Sequence, residues 1–301
     1  MSEQYSKDIH TDTLRLRLLL TNSCTQKCPH CLNEYMDKYK PNENDMFMDT
    51  LVLQQYVIAY VATLNSIGSQ NSKTLLPHVY LSGGEPTLHK DFSSIVQFIK
   101  RYGGSKITLC SNGNNYSDLI STGVYDHIDV LHFSFGFVHG ADVVPYFDPI
   151  YTSLKNWMYT RTSKDLAVAF VTTTAPDFEQ GVTELLRYRE DNDNKFTIKL
   201  WGDLTKSADH PVNKKYAELI GKYPELIHRG PVEHPINRGA GCIECNRSCP
   251  TLKALWVRPN NTSSPCPQSS RLWKYTHDTT PFISYYDSVM DAYSFHFDDH
   301  E

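Results

Sequence analysis

The sequence lacks the features that mark membrane-spanning, secreted and nucleic-acid-binding proteins. No apolar run approaches the roughly 18–20 residues that cross a bilayer, and the polar start MSEQYSKDIHTDT lacks the apolar stretch of a secretory signal. Positive charge is not in excess, since 29 Lys and Arg stand against 34 Asp and Glu. We therefore expect a cytoplasmic protein with no membrane contact and no broad nucleic-acid-binding surface.

The composition is typical of a globular protein, with 40% hydrophobic and 21% charged residues in a chain of 301. Strand and helix patterns alternate up to about Asp203, beyond which Gly, Pro and His become frequent. We therefore expect a main domain at residues 1–205 and a cysteine-rich extension at residues 206–301.

Alternating or continuous apolar runs predict six β-strands, and helical periodicity predicts the segments between them. The predicted strands span residues 14–20, 78–82, 106–110, 130–135, 166–172 and 196–201. The predicted helices span residues 50–65, 92–102, 117–121, 148–161, 178–191 and 213–222. Strands that alternate with helices predict an α/β fold with a parallel sheet, whose functional groups gather on the loops after the strands' carboxyl ends.

Seven of the eight cysteines fall into two groups near opposite ends of the chain. In a cytosolic protein such clusters indicate metal or redox chemistry more often than disulfides. The eighth, Cys110, stands alone within a predicted strand, where a buried small hydrophobic residue is expected. Trp201, Trp256 and Trp273 are expected to pack against the core or a hairpin.

The first group places Cys24, Cys28 and Cys31 as C-x3-C-x2-C in a loop directly after the first predicted strand. Thiolates select zinc, Cu(I) or iron–sulfur clusters. Three thiolates suit a 4Fe-4S cluster with one iron left open for chemistry. The alternative is a closed zinc site with His30 as fourth ligand, although the side chains of His30 and adjacent Cys31 diverge.

The second predicted strand ends in the turn LSGGEP. Glycines at a strand end let the backbone come close to a ligand, and Glu85 provides an acceptor for an ammonium group. Alone, this sequence indicates a strand-to-helix turn. It becomes a far more specific signal because it follows the cysteine loop by one predicted helix.

The motifs CTQKCPHC and GGEP, in this order and on these elements, resemble the radical S-adenosylmethionine superfamily. The resemblance covers about residues 14–205 and implies a partial (β/α)6 barrel. It implies a 4Fe-4S cluster on the three cysteines and S-adenosylmethionine on the open iron. Reductive cleavage of that cofactor would yield a 5′-deoxyadenosyl radical, with electrons from a donor such as flavodoxin or ferredoxin.

The same resemblance assigns a cofactor pocket. The GGEP turn would contact the amino group of the cofactor, and His30 would stand beside the adenine. Residues on the third and fourth predicted strands would line the rest. The residues implied are Gly83, Gly84, Glu85, Pro86, His30, Ser111, Asn112 and Ser134.

The second group flanks a hairpin predicted from the apolar run 254–257 and the turn-rich segment 259–264. Its thiols are Cys242, Cys245, Cys249 and Cys266. Four thiolates close either a zinc site or a second 4Fe-4S cluster. The arrangement resembles the SPASM or twitch extension of the same superfamily, which implies iron.

The run CIECNR also resembles the GTP cyclase of molybdenum-cofactor biosynthesis. Cys249 is additional to the cyclase pattern, and the end SFHFDDHE lacks the cyclase's Gly-Gly tail. We therefore expect a shared architecture and a different activity. The substrate would be a small molecule, a nucleotide or a peptide. Two alternatives remain: a peptide-modifying enzyme of natural-product biosynthesis that needs a leader peptide, and a non-catalytic protein stapled by zinc.

Overall fold

The described part of the chain, in a computed structural model, covers most of the predicted main domain and a short part of the extension. It comprises residues 15–26, 31, 46–70, 74–103, 105–135, 165–192, 196–203, 206, 209–228, 254–264 and 273–274. The predicted helix at 148–161 lies outside these residues, as do Cys28, His30 and all four cysteines of the second group.

Strands and helices alternate as the sequence predicts. The first six strands are β1 (Arg15–Leu19), β2 (His78–Ser82), β3 (Lys106–Ser111), β4 (Val130–Phe135), β5 (Asp165–Val171) and β6 (Phe196–Trp201). The helices are α1 (Thr50–Gln70), α2 (Phe92–Gly103), α3 (Tyr116–Ser121), α4 (Phe178–Asp191) and α5 (Pro211–Lys222). The predicted strand bounds agree with these to within one residue.

The six strands form one parallel sheet in chain order, each pairing with the next. The short strand β7 (Ile227–His228) extends the sheet beside β6. At the other edge, β8 (Ala254–Val257) pairs in parallel with β1. Among the described residues the sheet is open, because its edge strands do not pair with each other. This is the α/β architecture of a partial barrel.

The predicted hairpin of the extension is confirmed. β8 turns into β9 (Thr262–Ser264), and the two pair antiparallel. Asn261 at the turn has φ 62°, a left-handed conformation that Asn tolerates well. β10 (Trp273–Lys274) adds a further antiparallel strand. The hairpin therefore belongs to the barrel's own sheet, joined to it at β1.

Side chains alternate between the two faces of each strand. Leu16 and Leu18 of β1 point to the face covered by helices, where they are fully buried in one apolar core with Leu53 and Val57 of α1. The opposite side, which we call the inner face, carries polar and aromatic residues. Its residues include Arg15, Arg17, His78, Tyr80, Lys106, Thr108, Cys110, His132, Lys199 and Trp256.

Local polar contacts explain where the first helix begins. The Asp49 carboxylate accepts hydrogen bonds from the backbone N–H groups of Leu51 (2.9 Å) and Val52 (3.0 Å), as an N-cap residue does. Thr50 Oγ1 donates to Asp91 Oδ2 at 2.8 Å, which ties this helix start to the segment before α2. Among the helices that the structure describes, none is long and apolar enough to cross a membrane.

Candidate active site at the ends of the first three strands

Three loops meet at the carboxyl ends of β1, β2 and β3, and we call them the rim loops: residues 20–26, 83–88 and 111–115. Cys24 lies on the first of them and is exposed, while Cys31 is half-buried. Cys24 Sγ accepts hydrogen bonds from the Gln26 backbone N–H at 3.4 Å and from Asn112 Nδ2 at 3.8 Å. Two N–H donors therefore lie beside this exposed sulfur.

The GGEP turn is fastened to the cysteine loop through the backbone. The Gly84 N–H donates to Thr21 O at 2.6 Å, and the Glu85 N–H donates to Ser23 O at 2.7 Å. A Cβ at Gly84 would lie 2.1 Å from Ser23 O, and one at Gly83 would lie 2.4 Å from Thr21 O. Gly83 also has φ +132°, which favours glycine. The close neighbour that both glycines accommodate is therefore the backbone of the cysteine loop.

The Glu85 carboxylate is fully buried and its oxygens are engaged within the protein. Oε1 accepts hydrogen bonds from Thr87 Oγ1 (2.7 Å), the Thr87 N–H (3.2 Å) and Ser111 Oγ (2.9 Å). Oε2 accepts from the Asn112 N–H at 2.8 Å. Pro86 is buried and begins a single 3-10 turn, Pro86–Leu88. Glu85 thus joins the rim loop after β2 to the one after β3.

Asparagine amides connect the third rim loop to the first. Asn112 Nδ2 and Asn114 Nδ2 both donate to Thr25 Oγ1, at 3.1 and 2.9 Å. Asn112 Oδ1 in turn accepts from the Asn114 N–H at 3.0 Å, which fixes the amide's orientation. Asn112 therefore lies beside the cysteine loop, and Ser111 contacts Glu85 of the GGEP turn. Ser134, also assigned to the pocket from the sequence, is exposed near the end of β4.

Below the rim loops, the inner face holds a cation between two aromatic rings. The Arg17 guanidinium carbon lies 4.3 Å from the centre of the Tyr80 ring and 4.6 Å from that of Trp256. These side chains come from the neighbouring strands β1, β2 and β8, in direct register. Burial lowers the pKa of Arg17 from its usual value, and the nearby Arg15 adds to that effect.

A second cluster of polar side chains on the inner face runs from β3 to β6, and it consists of Cys110, His132 and Lys199. Lys199 Nζ lies 2.9 Å from His132 Nε2, and because an ammonium can only donate, this nitrogen is the acceptor. The other ring nitrogen, Nδ1, then carries the proton and faces Cys110 Sγ at 3.9 Å. Burial holds the pKa of His132 well below its usual range, with Lys199 and Arg17 acting in the same direction.

The sequence also contains a signal for the cations of the inner face, and it lies outside the cysteine and GGEP motifs. In LRLRLLL, two arginines alternate with leucines in a strand that a parallel sheet buries on both sides. Such alternation indicates a polar interior. Trp256 lies on the hairpin's first strand, and its ring contacts Arg17 of β1. Burial raises the pKa of Cys110, whose side chain lies on β3 and is half-buried.

The two motif cysteines that the structure describes suit an iron–sulfur cluster. Cys24 and Cys31 are two of the three thiols of the C-x3-C-x2-C motif, and thiolate sulfur is the ligand that such clusters prefer. Within the described residues, which exclude Cys28, no group of three His, Cys, Asp or Glu side chains is placed to hold a metal ion. The hydrogen bonds to Cys24 are of the kind that orient and tune a metal ligand.

Comparisons with known proteins agree with this geometry. Residues 13–139 match the family model of the 4Fe-4S single cluster domain. A GTP 3′,8-cyclase of Vibrio parahaemolyticus is 30% identical over 116 residues, 38% of this chain and 30% of that protein. One of Actinobacillus succinogenes is 35% identical over 100 residues, 33% of this chain and 26% of that protein. The match thus spans less than a third of either relative's length.

Among solved structures, the crystal structure of BtrN in complex with AdoMet and 2-DOIA covers 86% of this chain and 74% of its own. The TM-score is 0.42 at 12% identity.

The family match over residues 13–139 is thus to a 4Fe-4S cluster domain, and the matched segment contains the C-x3-C-x2-C loop and the GGEP turn that is hydrogen-bonded to it. More particularly, the family match and the cyclase relatives support the radical S-adenosylmethionine superfamily.

Proposed function

We propose that this protein is an enzyme that binds a 4Fe-4S cluster through Cys24, Cys28 and Cys31 and reductively cleaves S-adenosylmethionine. With the cofactor bound, such a cluster supplies the electron that converts S-adenosylmethionine to methionine and a 5′-deoxyadenosyl radical, which abstracts a hydrogen atom from a substrate. A donor such as flavodoxin or ferredoxin would deliver the electron. The substrate would be a small molecule or nucleotide, with a peptide as the alternative.

One observation carries this proposal: the GGEP backbone is hydrogen-bonded to the cysteine loop at Thr21 and Ser23, which lie within the three residues before Cys24. A turn in that place holds a cofactor-binding backbone at a fixed distance from the cluster ligands. Catalysis by cofactors depends on such positioning, since the protein contributes orientation and exclusion of water and not the bond cleavage itself.

The chain's own residues would then have separable tasks. The backbone of Gly83 and Gly84 would face the cofactor's amino group from the turn. Glu85 acts as a positioning residue, because its four hydrogen bonds hold the second and third rim loops together. Asn112 orients Cys24 and Thr25. His30, Pro86, Ser111 and Ser134 complete the proposed cofactor pocket.

The direct test is anaerobic reconstitution with iron and sulfide, reduction with dithionite, and measurement of 5′-deoxyadenosine formed from S-adenosylmethionine. Cys24→Ala should abolish the product, because a cluster held by two thiolates would not keep its iron. Cys110→Ala is the matched control, since it removes a thiol of the same chain that lies on β3. Equal product from the wild type and Cys24→Ala would refute the assignment of the loop.

For the extension, we propose a second 4Fe-4S cluster held by Cys242, Cys245, Cys249 and Cys266, in a SPASM- or twitch-like unit formed by residues 206–301. Full ligation by four thiolates would make it an electron relay or a scaffold. The support is the hairpin of β8 and β9, which the four cysteines flank in the sequence and which joins the barrel at β1.

Metal analysis tests this second centre separately. We expect about eight irons per reconstituted wild-type chain, as two four-iron clusters. The triple variant Cys24→Ala, Cys28→Ala, Cys31→Ala should keep roughly half of that iron and a cubane absorption spectrum. Stoichiometric zinc in the triple variant, with about four irons in the wild type, would favour a zinc-stapled extension.

A further inference from the structure

The part of the chain that carries the three motif cysteines is closed at its base by two short segments, residues 20–22 and 46–48, which we call the neck. The two segments form an antiparallel bridge. Met46 O accepts hydrogen bonds from the Asn22 N–H at 2.9 Å and from Thr21 Oγ1 at 2.7 Å. The motif cysteines all stand between the two segments in the sequence, so the neck fixes where the cysteine-bearing part begins and ends.

Backbone hydrogen bonds also join the first neck segment to the GGEP turn. The Leu20 N–H donates to Ser82 O at 2.8 Å, and the Gly84 N–H donates to Thr21 O at 2.6 Å. The first neck segment is therefore bonded both to the GGEP turn and to the second neck segment. A direct contact between the turn and the second segment would close these three pieces of backbone into a ring.

The side chain of His89 makes that contact. His89 directly follows the 3-10 turn Pro86–Leu88 that continues from GGEP, and it is only 3% exposed. Its Nε2 lies 2.8 Å from Met48 O, and because a carbonyl can only accept, Nε2 is the donor. Its Nδ1 accepts a hydrogen bond from the Asp91 N–H at 3.1 Å. Both ring nitrogens are therefore engaged, and the two contacts require the tautomer that carries its proton on Nε2.

Neighbouring contacts hold the imidazole ring in this orientation. The Phe47 ring stands nearly perpendicular to it, with the ring centres 5.7 Å apart, which is a favourable edge-to-face arrangement. Asp91 Oδ2 accepts a hydrogen bond from Thr50 Oγ1 at 2.8 Å, so the start of α1 has its own tie to this part of the chain. The bond from His89 to Met48 is separate from that tie, because it ends on the neck itself.

We propose that His89 is a positioning residue that couples the GGEP turn to the neck and so holds the cluster ligands in register with bound S-adenosylmethionine. The inference rests on the proposed function, in which the turn binds the cofactor and the cysteines bind the cluster. Groups that act together in a site must be held to within about 0.5 Å of their productive geometry, by packing and by hydrogen bonds from residues behind them. The buried bond from His89 to Met48 O supplies such a constraint.

The experiment is anaerobic equilibrium dialysis of S-adenosylmethionine against the full-length reconstituted protein. The cluster is kept oxidised so that the cofactor is not cleaved, and binding is counted per cluster from iron analysis. His89→Leu fills the space but removes both hydrogen bonds, and we expect it to weaken cofactor binding by about tenfold. His89→Gln keeps an N–H that can reach Met48 O, so its affinity should lie between those of His89→Leu and the wild type.

Asp129→Ala is the matched control. Asp129 lies at the amino ends of β3 and β4, at the opposite end of the sheet from the rim loops, and it accepts hydrogen bonds from Lys100 Nζ (2.7 and 2.9 Å) and the Ile107 N–H (2.8 Å). The control therefore also loses polar contacts and stability, but away from the neck. It should bind S-adenosylmethionine as the wild type does.

Hydrogen–deuterium exchange of the same full-length proteins gives a second readout that needs no cofactor. The N–H groups of Asn22 and Met48 donate across the neck, to Met46 O and Leu20 O. They should exchange about tenfold faster in His89→Leu than in the wild type, because local opening of the neck becomes easier. If His89→Leu does not fold, His89→Gln takes its place in both measurements, and a smaller change in the same direction is expected.

Equal affinity for S-adenosylmethionine in the wild type and the His89 variant would overturn the inference, and so would unchanged exchange at the neck. An equal loss of affinity in Asp129→Ala would also overturn it, since that result would show only a general effect of stability on binding. A wild type that binds no S-adenosylmethionine would instead refute the proposed function. The exchange measurement would then decide by itself whether His89 holds the neck.

Discussion

The rim loops and the inner face of the same sheet differ in how their polar groups are satisfied. At the rim, the Glu85 carboxylate, the Thr25 hydroxyl and the loop backbone find partners within the protein, several at 2.6–2.9 Å. On the inner face, Arg17 has rings but no described acceptor, and Arg15 Nε is buried without one. Polar groups that find hydrogen-bond partners within the protein fix the shape of the rim loops. Cations without a described acceptor are instead suited to contact a bound ligand.

The largest expected effect comes from breaking the rim's backbone contact. Gly84→Ala places a Cβ 2.1 Å from Ser23 O, and because that atom is backbone the cysteine loop must move. We expect a loss of stability of about 3 kcal/mol and failure to retain iron after reconstitution. Chemical denaturation and iron analysis measure the two effects.

Gly221→Ala is the matched control for this change. Gly221 is exposed on α5, and a Cβ there would meet nothing within 4 Å. The same methyl group should therefore stabilise the protein by up to about 1 kcal/mol, as expected for Gly to Ala in a helix. Similar stabilities for both variants would contradict the tight contact between turn and loop.

A smaller effect is expected from Glu85→Gln. The amide keeps one acceptor oxygen but turns an NH2 group toward donors that now bond to the carboxylate, at a cost of about 2 kcal/mol. Stability and iron retention should fall together. Glu190→Gln on the exposed side of α4 should change stability by less than about 0.5 kcal/mol. Unchanged stability with weaker S-adenosylmethionine binding would instead show that Glu85 contacts the cofactor directly.

The inner face should make stability depend on pH in a defined direction. His78 and His132 remain neutral in the folded protein, whereas in the unfolded chain each takes up a proton near pH 6.5. The unfolded state then binds more protons, so stability falls as the pH drops below about 6.5, down toward pH 3 for His78.

Each histidine contributes a slope of at most about 1.4 kcal/mol per pH unit in that window. The double variant His78→Gln, His132→Gln should flatten the dependence of the free energy of unfolding on pH between 6.5 and 5. Urea denaturation at a series of pH values measures it. A double variant with the wild-type slope would show that the two rings are protonated in the folded protein.

The smallest expected effect is on the midpoint potential of the cluster proposed to bind at Cys24. Asn112→Ala removes an N–H donor from Cys24 Sγ and another from Thr25 Oγ1. Fewer hydrogen bonds to a ligating sulfur make the cluster harder to reduce. One bond of about 1 kcal/mol corresponds to a midpoint potential lower by roughly 40 mV for one electron. Potentiometric titration followed by electron paramagnetic resonance measures this, with Asn260→Ala in the β8–β9 turn as a control.

Much of the fold could be predicted, because each strand's pattern is local. The runs at 78–82, 130–135 and 196–201 match β2, β4 and β6 in both bounds. The sequence was enough to locate the rim loops, but it did not predict the contacts between them. Glycine in GGEP predicts a close approach, yet only the structure shows Gly84 against Ser23 O. Likewise, a glutamate beside a ligand-binding turn predicts a ligand contact, but only the structure shows that its carboxylate also accepts hydrogen bonds from Thr87, Ser111 and Asn112.

The sequence by itself determined the α/β class, the positions of β1 to β6 and the loop that carries Cys24, because periodicity and motif spacing are properties of neighbouring residues. The tertiary structure alone decided that β8 pairs with β1 and brings Trp256 onto Arg17. It also decided that Lys199 meets His132 across the inner face. Such contacts join segments far apart in the chain, and they form only when parallel strands align in register and the sheet places their side chains on one face.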